Sequence, residues 1–257
     1  MIDETETPGE GTGPAPGHRM LRLVEVMEKL RRECPWDGSQ THASLAKYLI
    51  QESYETLETI EDGDYAQLRE ELGDVLLQVV FHAAIGAERP EGDPDRFTVD
   101  DVADAIIDKM TRRHPHVFGG AEVSGIDEVW SDWEAIKAAE RARKSEAQGG
   151  AGEVSVLDGV PFAQPAVLLA YELQKRAVRN GVPGDLVVDD GAEGGELFAA
   201  VAVERDQGRD PETDLRAAAR RFDARVRDAE RAARADGRVP RELSPEEWRT
   251  YWSMTDQ

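Results

Sequence analysis

Along most of the chain apolar residues recur three and four positions apart, the spacing that lines one face of a helix. Alternating runs of Val, Ile and Thr bounded by turn residues are missing. The pattern predicts an all-α protein. Helices are expected over about 19–32, 43–62, 65–88, 99–113, 127–145, 164–180, 193–207 and 212–236. A last one runs to Trp252, with Ser244 as its cap and Pro245 at its first position. The breaks carry residues that end helices. Cys34-Pro35 closes the first, Glu61-Asp62-Gly63-Asp64 separates the second and third, and Pro90 to Pro94 closes the third.

From Ser145 to Val160 small residues replace that periodicity, so this stretch reads as a linker between two halves. The expected organisation is a disordered acidic tail over residues 1–17, a first domain over 18–145, the linker over 146–161 and a second helical domain over 162–257. The halves echo each other, Glu193-Gly-Gly-Glu196-Leu-Phe resembling Glu71-Leu-Gly-Asp74-Val-Leu. Before Glu193, however, the segment from Asn180 is short and rich in Gly and Pro, with no helix bearing a second carboxylate pair. Half a ligand set holds a metal poorly, so the second half is expected to be a degenerate repeat kept for packing or dimerisation.

Composition narrows the chemistry. With 257 residues, 40 % hydrophobic, the chain can bury a core in one or two domains. Its 53 acidic and 31 basic residues give a formal charge of −22, and no run of Lys and Arg escapes nearby carboxylates, which argues against nucleic acid as a partner. An anionic small substrate then needs a positive mediator, most simply a divalent cation held by surplus carboxylates. The one cysteine, Cys34, cannot form an internal disulfide, which fits a reducing compartment and makes cytoplasm the expected location. It precedes a proline and lacks the cationic surroundings that make a thiol nucleophilic. The tail has no signal-peptide character, and the longest apolar stretch, near Val75 to Ile85, falls short of the ~20 residues a membrane span requires.

Glu52 and Glu55 stand three apart on one expected helix, and Glu71 and Asp74 three apart on the next. That spacing puts each pair on one helical face. The faces continue through Leu45, Tyr48 and Thr59 on the first helix, and through Gln78, Phe81 and Ile85 on the second. Both stripes are mostly apolar and therefore turn toward a neighbouring helix, where unpaired charge is costly. The short Asp62-Gly63-Asp64 turn brings the two helices side by side. Four converging carboxylates repel one another, and a hard cation with oxygen ligands resolves the conflict. In so acidic a chain the alternative is a pair of solvated faces with no ligand.

These residues carry a family resemblance. Gln51-Glu52-Ser-Tyr-Glu55, followed by Glu71-Leu-Gly-Asp74, resembles the EExxE and ExxD signature of the MazG nucleoside triphosphate pyrophosphohydrolases, of the all-α NTP pyrophosphatase superfamily. Cys34-Pro-Trp-Asp37 with Gln40-Thr41, the segment Lys109-Met-Thr-Arg112-Arg113-His-Pro-His-Val-Phe118, and Trp133-Glu-Ala-Ile-Lys137 extend the likeness over roughly residues 20–145. It implies Mg²⁺, with Mn²⁺ as the substitute ion, on Glu52, Glu55, Glu71 and Asp74. It also implies hydrolysis of ribo- or deoxyribonucleoside triphosphates to monophosphate and pyrophosphate, water attacking the α-phosphorus, and assembly as a homodimer. Gln51 departs from the pattern, standing where the first Glu of EExxE is usual.

Lys109, Arg112 and Arg113 share a helical face in a way that suits a triphosphate, or simply complete a basic helix C-terminus favoured by the dipole. Trp36, Trp130 and Trp133 can stack on a nucleobase or anchor the core. Packing is the commoner role, and Trp36 is kept as a candidate substrate contact. His114 and His116 are read as structural, because the oxygen site already has its four ligands. No Gly-rich phosphate loop and no activated Ser or Cys points to a covalent intermediate. The competing reading is a catalytically silent nucleotide-binding or regulatory module, prompted by Gln51 and the eroded second half.

Overall fold

A computed structural model describes residues 17–121, 123–126, 128–129, 132–133, 136–137, 139–140, 155–187 and 191–255. The tail up to residue 16, Trp130, and residues 141–154 with part of the expected linker lie outside the described residues. Among the described residues every regular element is helical, ten α-helices and two 3-10 turns, so the fold is all-α as the periodicity predicts. The chain forms two compact units, Met1–Trp133 and Glu134–Gln257.

In the first unit α1 (His18–Glu33), α2 (Pro35–Ser39), α3 (His42–Asp62), α4 (Tyr65–Ala87), α5 (Val99–Arg113) and α6 (Pro115–Phe118) follow one another. The hairpin of α3 and α4 is its most extensive pairing, and α1 packs on α4. Local chemistry fixes the hairpin ends. Thr41 and Ser44 form a reciprocal capping box at the start of α3. Gly63, at φ 70°, adopts the left-handed conformation that stops α3. Asp64 then accepts hydrogen bonds from the backbone N–H of Ala66 and Gln67 to start α4. Met27, Leu45, Val80 and Phe81 are the buried centre, with Leu23, Val24, Tyr48, Leu76 and Val99 packed around it.

The sequence pattern missed α2, which has too few residues to show a period. A proline at its first position starts it, and Arg31 holds it in place. The Arg31 guanidinium donates to the carbonyls of Asp37 and Gln40, pairs with Glu88 at 2.6 Å, and lies 5.7 Å from the Phe81 ring centroid. Its side chain is only 7 % exposed, so one charge ties α1, α2 and the end of α4 together.

Gly86 marks the other close approach. A Cβ there would lie 2.7 Å from two carbons of the Phe97 ring. Gly86→Ala should therefore destabilise by about 1 kcal/mol net, overpacking being partly offset by the roughly 1 kcal/mol gain in helix propensity. Urea unfolding measures it, and a stabilised variant would show that the Phe97 ring moves aside freely.

In the second unit α7 (Ala166–Arg179) pairs with α8 (Gly195–Asp206), and α9 (Pro211–Ala235) packs on α7 and carries α10 (Pro245–Met254). Ala229, Ala233 and Tyr251 are its buried centre. Gln174, 1 % exposed, is satisfied by donating to the Phe198 carbonyl at 2.7 Å and accepting from Arg205. Among the described residues between α7 and α8 the regular element is the 3-10 turn Gly184–Leu186.

Candidate metal centre

The α3–α4 seam places the carboxylates. In the antiparallel register His42 meets His82, and about 15 Å further along α3 Glu52 comes opposite the turn of α4 that bears Glu71. The flanks of the two stripes are buried as helical spacing demands: Leu45 and Thr59 on α3, Gln78 and Phe81 on α4. Glu52, Glu55 and Glu71 each present a carboxylate oxygen, all within 4.8 Å of one another and half-buried. Octahedral coordination at about 2.1 Å spaces ligand oxygens by roughly 3 to 4 Å, so a hard cation fits this donor set with little adjustment. Asp74 is exposed and stands outside that triplet, yet its charge acts on Glu52.

Electrostatics agree with the geometry. Partial burial and then, among the described residues, the charges of Glu55, Asp74 and Glu71 hold the Glu52 carboxyl above its ordinary range. Lys109, Arg112 and Arg113 occupy the last turns of α5, where the helix dipole favours cations. The start of α5 is set by the Thr98 and Asp101 capping box, and residues 101–108 are exposed. Trp36 is 51 % exposed and meets Tyr48 and Phe81 edge-on, with ring centroids 6.1 and 6.5 Å apart. One edge of it closes the core and the rest faces solvent, one helical turn from Glu52 through Tyr48.

Two polar features escaped sequence reasoning. Gln67 Nε2 donates to Glu71 Oε1 at 3.2 Å, and its position four residues before Glu71 was the available signal. The contact of His42 with His82, Nδ1 to Nδ1 at 2.7 Å, joins residues forty apart and had no local signal. His114 is structural: its Nδ1 lies 2.7 Å from the Met110 carbonyl and its ring meets Trp133 edge-on. In the second unit, Glu193 and Glu196 belong to no cluster of three metal-binding side chains among the described residues. Arg225 lies 4.3 Å from the Trp252 ring centroid and donates to Thr255 Oγ1.

Comparison with known proteins decides the family. Residues 40–118 match the model of the MazG nucleotide pyrophosphohydrolase domain, a span that contains every predicted site residue except Trp36. A nucleoside triphosphate pyrophosphohydrolase of Mycolicibacterium smegmatis is 40 % identical over 250 residues, 93 % of this chain and 71 % of the relative. The chain belongs to the MazG family of nucleotide pyrophosphohydrolases. The Escherichia coli nucleoside triphosphate pyrophosphohydrolase is 38 % identical over 245 residues, covering 84 % of this chain and 89 % of the relative. A solved MazG-related protein from Thermotoga maritima is 28 % identical, covers 46 % of this chain and 98 % of its own, and superposes with a TM-score of 0.39. This MazG chain thus carries its acidic cluster within the matched domain, in the first of its two units.

Proposed function

We propose that the first unit hydrolyses nucleoside triphosphates to the monophosphate and pyrophosphate, in a reaction that depends on Mg²⁺, with Mn²⁺ able to replace it. The observation that carries the reading is the convergence of Glu52, Glu55 and Glu71 on one point of the α3–α4 seam, inside the matched MazG domain. Glu52, Glu55 and Glu71, with Asp74 as the fourth carboxylate, would hold a divalent cation, which would neutralise charge on the phosphates and polarise water for attack. The carboxylates themselves fix where the phosphates lie and exclude an unscreened anion. Glu52, whose carboxyl is held above the ordinary range by burial and the neighbouring carboxylates, is the group we assign to take a proton from the attacking water. Lys109, Arg112 and Arg113 steady the leaving pyrophosphate, and the solvent-facing part of Trp36 covers the base.

The test is pyrophosphate release from a panel of ribo- and deoxyribonucleoside triphosphates, with Mg²⁺ and with chelator. Release that needs the metal and survives Glu193→Gln is expected. Nucleotide binding with no release from any triphosphate would overturn the reading in favour of a silent binding module.

The unit also leaves apolar side chains in water, among them Leu72 and Val79 on α4 and Ile106 and Ile107 on α5. Apolar faces of this kind are normally covered, and a second copy of the chain is the proposed cover. Light scattering on the eluting protein should give twice the chain mass. A species of single-chain mass would sink the dimer. Among the described residues no helix is long and apolar enough to cross a membrane.

A further inference from the structure

Gln51 and Gln67 repeat one arrangement on two helices. Gln51 Nε2 donates to Glu55 Oε1 at 2.9 Å, four residues along α3, and Gln67 Nε2 donates to Glu71 Oε1 at 3.2 Å, four residues along α4. Each carboxamide thus takes one oxygen of a carboxylate in the triplet, and it does so with a neutral donor. We propose that these two glutamines are positioning residues for the cation site, a role that rests on the function proposed above.

The physical argument starts from repulsion. Oxygens of Glu52, Glu55 and Glu71 lie within 4.8 Å of one another, and the charges of Glu55, Asp74 and Glu71 act on Glu52. Without a cation, free carboxylates in that position rotate apart to separate their charges, and the site must be reassembled each time a cation binds. An N–H donor anchored on the same helix one turn away holds one oxygen and so restrains the carboxylate's rotation. Hydrogen bonds to ligating carboxylates are worth as much as 10- to 100-fold in metal affinity in other sites. A glutamate at 51, the residue the family signature leads one to expect, has no N–H to donate when ionised and adds a further negative charge beside Glu55. Gln51 is therefore a working replacement, matched by Gln67 on the facing helix.

Both glutamines are exposed, so replacing them leaves no hole in the core. Methionine keeps the length and removes the donor. Mn²⁺ alone, titrated into the full-length protein and followed by electron paramagnetic resonance, reads the site without turnover. Wild type should bind Mn²⁺. Gln51→Met and Gln67→Met should each weaken binding by about 10-fold, and the double variant by more, with the thermal midpoint of the metal-free protein little changed. In turnover, the Mg²⁺ concentration for half-maximal rate should rise by a similar factor while the rate at saturating Mg²⁺ stays near wild type. Wild-type Mn²⁺ affinity in both variants overturns the positioning role and leaves the proposed function standing. Failure of the wild type itself to bind Mn²⁺ overturns the function, and the positioning role with it.

Discussion

Glu71→Gln should abolish pyrophosphate release, lowering the rate at least about 100-fold, on the order of 3 kcal/mol, at saturating Mg²⁺. The same variant should be at least as stable as wild type when no metal is present. Both expectations follow from one arrangement. Glu71 is the α4 member of a triplet whose other two members sit on α3, so within the triplet it links the two helices at the cation position. An amide in its place keeps the shape and one oxygen but loses the charge that balances a divalent ion. In the metal-free protein that charge is a liability, because it adds to the repulsion already felt at Glu52. Thermal unfolding with and without Mg²⁺ separates the two effects. Binding to the folded state alone stabilises by about 2.7 kcal/mol at a hundred times Kd, which for a unit of about 100 residues raises the midpoint by roughly 10 °C or more. Wild type should show that rise and Glu71→Gln should show little of it. A variant that keeps both its rise and its activity would remove Glu71 from the site.

Much of this site was legible because helical periodicity is arithmetic on the sequence. Glu52, Glu55 and Glu71 fall on stripes whose neighbours Leu45, Thr59, Gln78 and Phe81 are buried, and those stripes can be read without coordinates. The long helices were legible for the same reason, and Gly63 and Asp64 announce the turn between them. What stayed hidden depends on tertiary contact or on very short segments. The five residues of α2 show no period, and α2 is held by Arg31 reaching across from α1. The standing of Asp74 outside the close triplet is a matter of side-chain direction, which spacing alone does not give. The use of Arg225 against Trp252 likewise depends on where α10 returns, a distance of 27 residues along the chain.

The pairing of His42 and His82 predicts a pH dependence of its own. The two ring planes are 2° apart with centroids 5.0 Å apart, and the Nδ1 atoms are separated by 2.7 Å. That separation of centres is what an N···N hydrogen bond plus the two half-rings gives, so the rings meet edge to edge and one Nδ1–H donates to the other Nδ1. The bond needs one bare nitrogen. Two imidazolium ions would aim two protons at each other. Phe97 lies against the His42 ring, and Arg31 on α1 and Glu88 at the end of α4 are paired with each other. Among the described residues His42 is the titratable group that acts on His82. Burial first, and then His42, hold the His82 imidazole below the usual histidine range. A base whose folded pKa is lowered confers stability above its unfolded value of about 6.5, and that stability is lost as pH falls toward the folded value. His82 Nε2 is buried without a partner, so leucine at 82 removes a desolvated polar atom along with the N–H···N bond. Between pH 7.5 and 5, wild type should lose more stability than His82→Leu, by at most about 2 kcal/mol, the ceiling for one group with an unfolded pKa of about 6.5, the contributions of the many carboxylates cancelling in the comparison. Urea unfolding across that range decides it: parallel curves for the two proteins would mean that the pair stays neutral or solvated throughout and carries no proton-linked strain between α3 and α4.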